Sequence, residues 1–483
     1  VSAPLRERAA LLDAYLRVLE GQPIPFTIPG HHRRAALLDA GLGRLLDADV
    51  PLYGGLDTVK LTKGSLAAAE RATADYYGAD WCRYSTGGST QANQALCLAL
   101  GRPGDKVIVT RSLHRSMLLG LVLAGLEPVW LPTEIHQPTG LPLGVALEDL
   151  RVALDAVPDA VAVALTEPGY LGTLSDLGAL IELSHVRGLP VVVDQAWGGH
   201  LGVHPELPGH AMALGADALV TSTHKLLVGY SQASVLVART QALDLGRLER
   251  GFDATQTTSP SGAILASSDA SRALLETRGR ALLETTLALV RQARARLAEA
   301  LPGIGLPDER SLPRGRFDPT RLIIQTASLG ADGVAVERAL VEEGISFELA
   351  DRDTLVPVLS IADGPESIDA LLAALIPALD AHRGPARPFV SALSWRVEPV
   401  TAISPREAFF ADHERIAAAQ AVGRISAELV APYPPGIPVL APGELITAAL
   451  LEGLVELAAS GVRIAYAADP SLSSVEVVAL PPG

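Results

Sequence analysis

Cysteine is almost missing from these 483 residues: only Cys82 and Cys97 are present. Two cysteines make a disulfide framework improbable, so a reducing compartment, the cytoplasm, is the expected setting. Long apolar runs are missing too. The longest, such as 160–165 and 191–193, are strand-sized, and none is long enough to cross a bilayer, so no membrane partner is expected. Positive charge is short. With 39 Lys and Arg against 54 Asp and Glu, the net charge is −15. That argues against nucleic acid, whose phosphates demand a basic surface. Lysine itself occurs only at Lys60, Lys63, Lys106 and Lys225. Residues 1–20 alternate charged and apolar side chains at helical spacing, without the apolar stretch and small-residue cleavage site of a signal peptide. No cysteine or histidine pair has convincing metal-ligand spacing, and His31/His32 and His200/His204 read as structural, so no metal is expected.

What is present is a globular composition, 48% hydrophobic and 19% charged, on a chain long enough for two or three domains. Continuous apolar runs at 106–110, 128–131, 160–165, 191–194 and 218–222 read as strands buried on both faces. Helical patterns at 65–77, 91–100 and 174–187 alternate with them, which predicts an α/β architecture with crossover helices. A long amphipathic helix is predicted over 273–300, then a strand at 321–326 and a helix at 334–343. The prolines of 432–438 forbid helix there.

The chemistry concentrates in two strand ends. One apolar strand ends on Asp194, and another on Ser222, Thr223, His224 and Lys225. In an open parallel sheet ligands sit beyond the carboxyl ends of strands, so Asp194 and Lys225 are expected in one crevice. Pyridoxal 5'-phosphate (PLP) needs a lysine amine for its imine, a carboxylate beside its ring nitrogen and a cradle for its phosphate. Asp194 and Lys225 offer the first two. The Gly-rich turn STGGST (85–90), before a helix, offers the third, because a helix N-terminus presents unpaired N–H groups. Each piece alone has a plainer reading: a helix cap, a structural aspartate or a surface lysine. Their ordered combination is what points to PLP.

With these residues in place, the chain resembles the Orn/Lys/Arg decarboxylase family, in its short form without an N-terminal wing domain. The resemblance is carried by GGSTQAN, RPGDKVIVTRSLHRS, DQAWGGHLGVHPELP, STHKLLVGYSQAS, TTSPSGAILASSD, SPREAFF and AVGRISAELVAPYPPGIPVLAPGE, in that order, after PFTIPGHHRR. It implies an aspartate-aminotransferase-like fold (PLP fold type I), with a large domain built on a mixed, mostly parallel sheet and a smaller α+β C-terminal domain. The expected division is an N-terminal arm over 1–35, a PLP-binding domain over 36–300 and a C-terminal domain over 301–483, with a break near 384–390. The implied activity is decarboxylation of arginine, lysine or ornithine to an amine and CO2, with a place in polyamine metabolism. Residue by residue, the resemblance implies that Lys225 carries PLP, Asp194 faces the ring nitrogen, and His114 stacks on one ring face with Ala196 against the other. Gly88, Ser89 and Thr90 would bind the phosphate, with Ser222 and His224 beside it. Lys225 or His224 would return a proton to the substrate carbon. Thr257 and Thr258, in TTSPS, would reach the phosphate of a neighbouring subunit, which implies at least a homodimer.

Departures from the family's usual pattern fall mainly at the N-terminus, at His32, Pro51, Leu52 and 58–64, with Trp197 and Gly262 elsewhere. They leave the substrate side chain open, with Asp57 and Glu444 as candidate partners for its head group. They also leave open transamination, oxidative or other lyase chemistry, and a non-catalytic family member.

Overall fold

The computed structural model describes residues 3–21, 29, 31, 48–50, 52, 56, 64–312, 316–388, 398–433, 437–459 and 461–480. His32, Pro51, Asp57 and 58–63 lie outside them. From the N-terminus, helices α1 (Ala3–Arg8), α2 (Ala10–Gly21) and α3 (Ser65–Tyr77) lead to β1 (Trp81–Ser85) and α4 (Gly88–Leu100). Then follow β2 (Lys106–Thr110), α5 (Arg115–Ala124), β3 (Glu127–Leu131), the small strands β4 (Ile135–His136) and β5 (Leu141–Pro142), and α6 (Leu147–Ala156). Next come β6 (Ala162–Thr166), α7 (Leu177–Val186), β7 (Val191–Asp194), β8 (Ala218–Ser222), β9 (Ser234–Ala238), α8 (Leu245–Thr255) and α9 (Gly262–Ala300). The remainder carries β10 (Ile324–Gln325), α10 (Gly333–Glu342), β11 (Leu349–Ala350), β12 (Thr354–Val356) and α11 (Pro365–Ala381). It closes with α12 (Pro405–Phe410), β13 (His413–Ala417), β14 (Ala431–Tyr433), α13 (Ala448–Ala459), β15 (Arg463–Ala465) and β16 (Ser474–Val478).

The chain divides into two compact units, 1–100 with 190–283, and 101–189 with 284–483. In the first, β7 and β8 pair in parallel, while β8/β9 and β9/β1 pair antiparallel. Every residue of β7, β8 and β9 is buried, and for β7 and β8 that is why the sequence reads as apolar runs. Helix α4 packs on α8 and against β8 and β9. In the second unit, β6, β2 and β3 form a parallel ladder. A separate antiparallel sheet, β10-β12-β11, shares an apolar core with α10, α11 and the end of α9, built on Leu297, Leu322, Ile324, Leu340, Leu355 and Leu372. Residues 413–478 close over a further core containing Val430, Leu440, Leu454 and Val477.

Most predicted elements form within a few residues of their expected ends. Three differ with a physical reason. Helix α4 starts at Gly88 rather than 91, because Gly88 at φ +72° makes the turn into it and puts Ser89 and Thr90 in its first turn. The strand expected at 321–326 shrinks to β10, since Arg321 N–H closes a turn on Asp318 O and 326–329 wind into a 3-10 turn. Helix α9 begins eleven residues before the predicted 273 (273 − 262), because Ser and Ala at 266–268 and 271 blur the apolar period. The antiparallel strands β1 and β9 are absent from the sequence reading.

Candidate active site

The parallel pairing of β7 with β8, Asp194 opposite Val220, brings both carboxyl ends to one edge of the first unit. Asp194 is 2% exposed. Its Oδ1 accepts the Ala196 N–H at 3.1 Å, and its Oδ2 accepts Asn93 Nδ2 at 2.7 Å. Ser222, which ends β8, and Thr223 after it are buried, while His224 and Lys225 are half-buried. Lys225 Nζ lies 4.3 Å from the centroid of the Trp197 ring, a cation–π contact. His224 Nδ1 sits 2.7 Å from the Ala233 carbonyl, which only accepts, so Nδ1 carries a proton. Burial lowers the His224 pKa, and the Lys225 charge adds to this, while the Ala233 bond opposes it. The neutral ring thus keeps Nε2 as an acceptor.

The Gly-rich turn is fixed by its own network. Ser85 Oγ donates to Gln91 Oε1 at 2.6 Å, and Gly87 N–H donates to the same oxygen at 2.9 Å. A Cβ on Gly87 would come within 2.9 Å of the Gln91 side chain, so only glycine fits. Gly88 N–H donates to the carbonyl of Gln232, itself at φ +76°. The N–H groups of the first turn of α4 have no acceptor within the helix. Ser89 Oγ lies 2.7 Å from Ser222 Oγ, which joins the start of α4 to the end of β8. One edge of this unit therefore holds a helix N-terminus with two hydroxyls, a buried carboxylate with two N–H donors, and a lysine amine. An anionic phosphate, a protonated ring nitrogen and an aldehyde would each find a partner there, so these residues fit PLP.

Not every expected residue falls in this group. His114 is in the second unit, exposed, as the N-cap of α5, where its Nδ1 accepts Ser116 N–H at 3.2 Å. Thr257 and Thr258 are exposed in the link between α8 and α9. Glu444 is 2% exposed and committed: its carboxylate meets both Arg111 Nη atoms and accepts Ala441 N–H, while Arg111 also stacks 4.6 Å from the Trp130 ring centroid. It is therefore not available to a substrate head group without breaking that pair. Asn93 and Gln91 are absent from the sequence reading as individual residues. Ser89, Asn93 and Cys97 recur at a spacing of four along one face of α4, and that spacing was the signal for Asn93.

The sequence profile of the Orn/Lys/Arg decarboxylase major domain matches residues 10–306, and that of the C-terminal domain matches 390–459. The arginine decarboxylase of Halalkalibacterium halodurans is 33% identical, over 98% of both chains. The chain belongs to the Orn/Lys/Arg decarboxylase family. It is an enzyme of that kind, a decarboxylase of a basic amino acid. The arginine decarboxylase of Bacillus subtilis is 34% identical over 95% of each chain. The lysine decarboxylase of Francisella novicida has the same fold, with a TM-score of 0.82 at 19% identity, covering 98% of this chain and 81% of that one. An SPT with PLP matches at a TM-score of 0.51 and 19% identity, over 65% of this chain and 76% of that one. The expected PLP fold type I architecture is thereby borne out. Among the described residues no helix is long and apolar enough to cross a membrane.

Proposed function

We propose that this chain is a PLP-dependent arginine decarboxylase with Lys225 as its cofactor lysine. The observation that carries the reading is the shared edge of β7 and β8, where Asp194, Ser222, His224 and Lys225 stand beside the N-terminus of α4. Arginine is favoured over lysine and ornithine by the relatives at 33–34% identity over nearly the whole chain, both arginine decarboxylases. When bound, PLP supplies an electron sink for the pair left behind as the substrate carboxylate departs as CO2.

The residues divide that work. Lys225 Nζ would be the attachment point, and the same amine would carry protons to and from the substrate. Asp194 faces the ring nitrogen and keeps its proton in place. The N–H groups of Ser89 and Thr90, with the Ser89 and Ser222 hydroxyls, hold the phosphate, and the positive φ of Gly88 shapes the turn. Ala196 flanks one face of the ring. Lys225 Nζ, or His224 once its Nε2 has taken up a proton, returns a proton to the carbon that lost CO2. Thr257 and Thr258 of a second copy complete the phosphate site, which makes a homodimer the working unit. The two cysteines, both unbridged and buried, support a cytoplasmic setting.

The test is a panel of arginine, lysine and ornithine with PLP-loaded protein, reading CO2 and amine by mass. Arginine should exceed the other two by at least tenfold in kcat/KM, about 1.4 kcal/mol of discrimination. Lys225→Ala should abolish both turnover and the visible band of the bound cofactor. A Lys225→Ala protein that still turns over would sink the assignment, and equal use of lysine would overturn the choice of arginine.

A further inference from the structure

Asp194 is a carboxyl group that water scarcely reaches, and the proposed chemistry needs it charged and held at a fixed angle. A carboxylate taken out of water must be solvated by protein donors instead. Among the described residues its donors are two. The Ala196 N–H is part of the turn that follows β7 and comes with the backbone. The Asn93 amide comes from a different element, reaching across from α4 to Oδ2 at 2.7 Å. Asn93 is 0% exposed, and it lies four residues, about one helical turn, beyond Ser89, whose hydroxyl contacts Ser222 at the end of β8. A further turn along the same face, Cys97 is fully buried. Burial, then the Asp194 charge, pushes its thiol well above the ordinary range, so no second negative charge competes there.

We propose that Asn93 is a positioning residue for the cofactor's ring: its Nδ2–H holds the Asp194 carboxylate plane so that a remaining lone pair points at the ring nitrogen. The inference rests on the proposed function and adds a part to it. One helix face does two jobs, with Ser89 beside the phosphate site and Asn93 setting the carboxylate at the other end of the ring. Each carboxylate oxygen offers about two acceptor sites, so one N–H on each leaves capacity for the ring's own N–H. Helix α4 is rigid through its packing on α8 and on β8 and β9, so the amide has little freedom to let the carboxylate turn.

The variants are Asn93→Leu, close in shape but without donors, and Asn93→Ala, smaller and easier to fold around. Both are to be prepared as full-length protein, loaded with PLP, and read by visible circular dichroism, PLP affinity and steady-state kinetics. The proposal expects PLP to bind on the order of ten- to a hundredfold more weakly, the range for removing a partner that orients a ligand. It expects kcat to fall by a similar factor with KM for arginine within about twofold, the signature of an interaction made to the reacting system rather than to the substrate. The circular dichroism band of the bound cofactor should shrink as the ring loses its fixed angle. A variant that lowers only the melting temperature, with band, PLP affinity and kcat unchanged, overturns the proposal. If Asn93→Leu does not fold, Asn93→Ala decides by the same readouts. Wild-type protein that binds no PLP would instead overturn the proposed function, so the two failures are distinguishable.

Discussion

Glu167 shows at the scale of one residue what burial does to an acid. It is 4% exposed beyond the end of β6, where one carboxylate oxygen accepts Ser175 N–H at 2.6 Å and the other meets Ser175 Oγ at 2.9 Å. Desolvation outweighs these bonds and raises its pKa from 4.5 to about 7. The sign follows from linkage. Unfolded chains ionise this group above pH 4.5, while the folded protein keeps it protonated to about 7. Its contribution to stability is thus full below 4.5 and is lost as pH rises through 7, on the order of 3 kcal/mol in all. Glu167→Gln mimics the protonated acid. It should flatten the decline in guanidinium midpoint between pH 5 and pH 8 and be the more stable form at pH 8. Parallel profiles for the two proteins would refute this. Asp351, also raised to about 7 by burial, adds its own slope to both and cancels in the comparison. At this scale the sequence revealed chemistry but not environment. Lys225 and Asp194 were legible because each ends an apolar run. Glu167, Asn93 and the Glu444–Arg111 pair were not, because nothing local says which polar side chain another segment will bury.

Among the elements, helix α2 was legible from its apolar spacing, but what holds it was not. Its first turn leaves N–H groups without helical acceptors, and the residues before it, Arg8 and Ala9, offer no side-chain oxygen to cap them. Asp269 on α9 does so from 258 positions away: its Oδ2 accepts Leu11 N–H at 2.9 Å and Leu12 N–H at 3.4 Å. Arg272 pairs with the other oxygen and donates to the Arg8 carbonyl at 2.6 Å. Asp269 is 0% exposed, so Asp269→Ala would strand both N–H groups and leave the Arg272 guanidinium to Glu276 and the Arg8 carbonyl, a loss of about 3 kcal/mol. The local consequence is fraying of residues 10–21, which hydrogen exchange reads directly. Asp269→Asn keeps an oxygen for the cap and should exchange more slowly than the alanine variant there. If both variants protect 10–21 as well as wild type does, the latch has no role in docking this helix. Strand order was similarly half-legible. Continuous apolar runs gave the parallel strands, whereas β1, with Arg83 and Tyr84 inside it, does not look like a buried strand. Arg83 is accommodated because its guanidinium meets Glu70 and Glu249.

For the whole molecule, the proposal of a shared site has a consequence that no single chain can show. Thr257 and Thr258 are exposed on the unit that carries them, so a change there should leave that unit folded. Thr258→Glu would set a carboxylate against the phosphate of the neighbouring copy and block its binding by repulsion. Lys225→Ala lacks the attachment amine but keeps a working threonine segment. Each variant alone should be inactive. In a mixed dimer, one site combines both defects and the other combines Lys225 from one copy with Thr257 and Thr258 from the other, with no defect. Random pairing makes half the dimers mixed, and half the sites in those are sound, so co-expressed variants should recover about a quarter of wild-type activity. Isolating the mixed dimer through two different tags should raise that to about half. Recovery cannot occur if each chain completes its own phosphate site, so an inactive mixed dimer would reject the sharing while leaving Lys225 and Asp194 untouched.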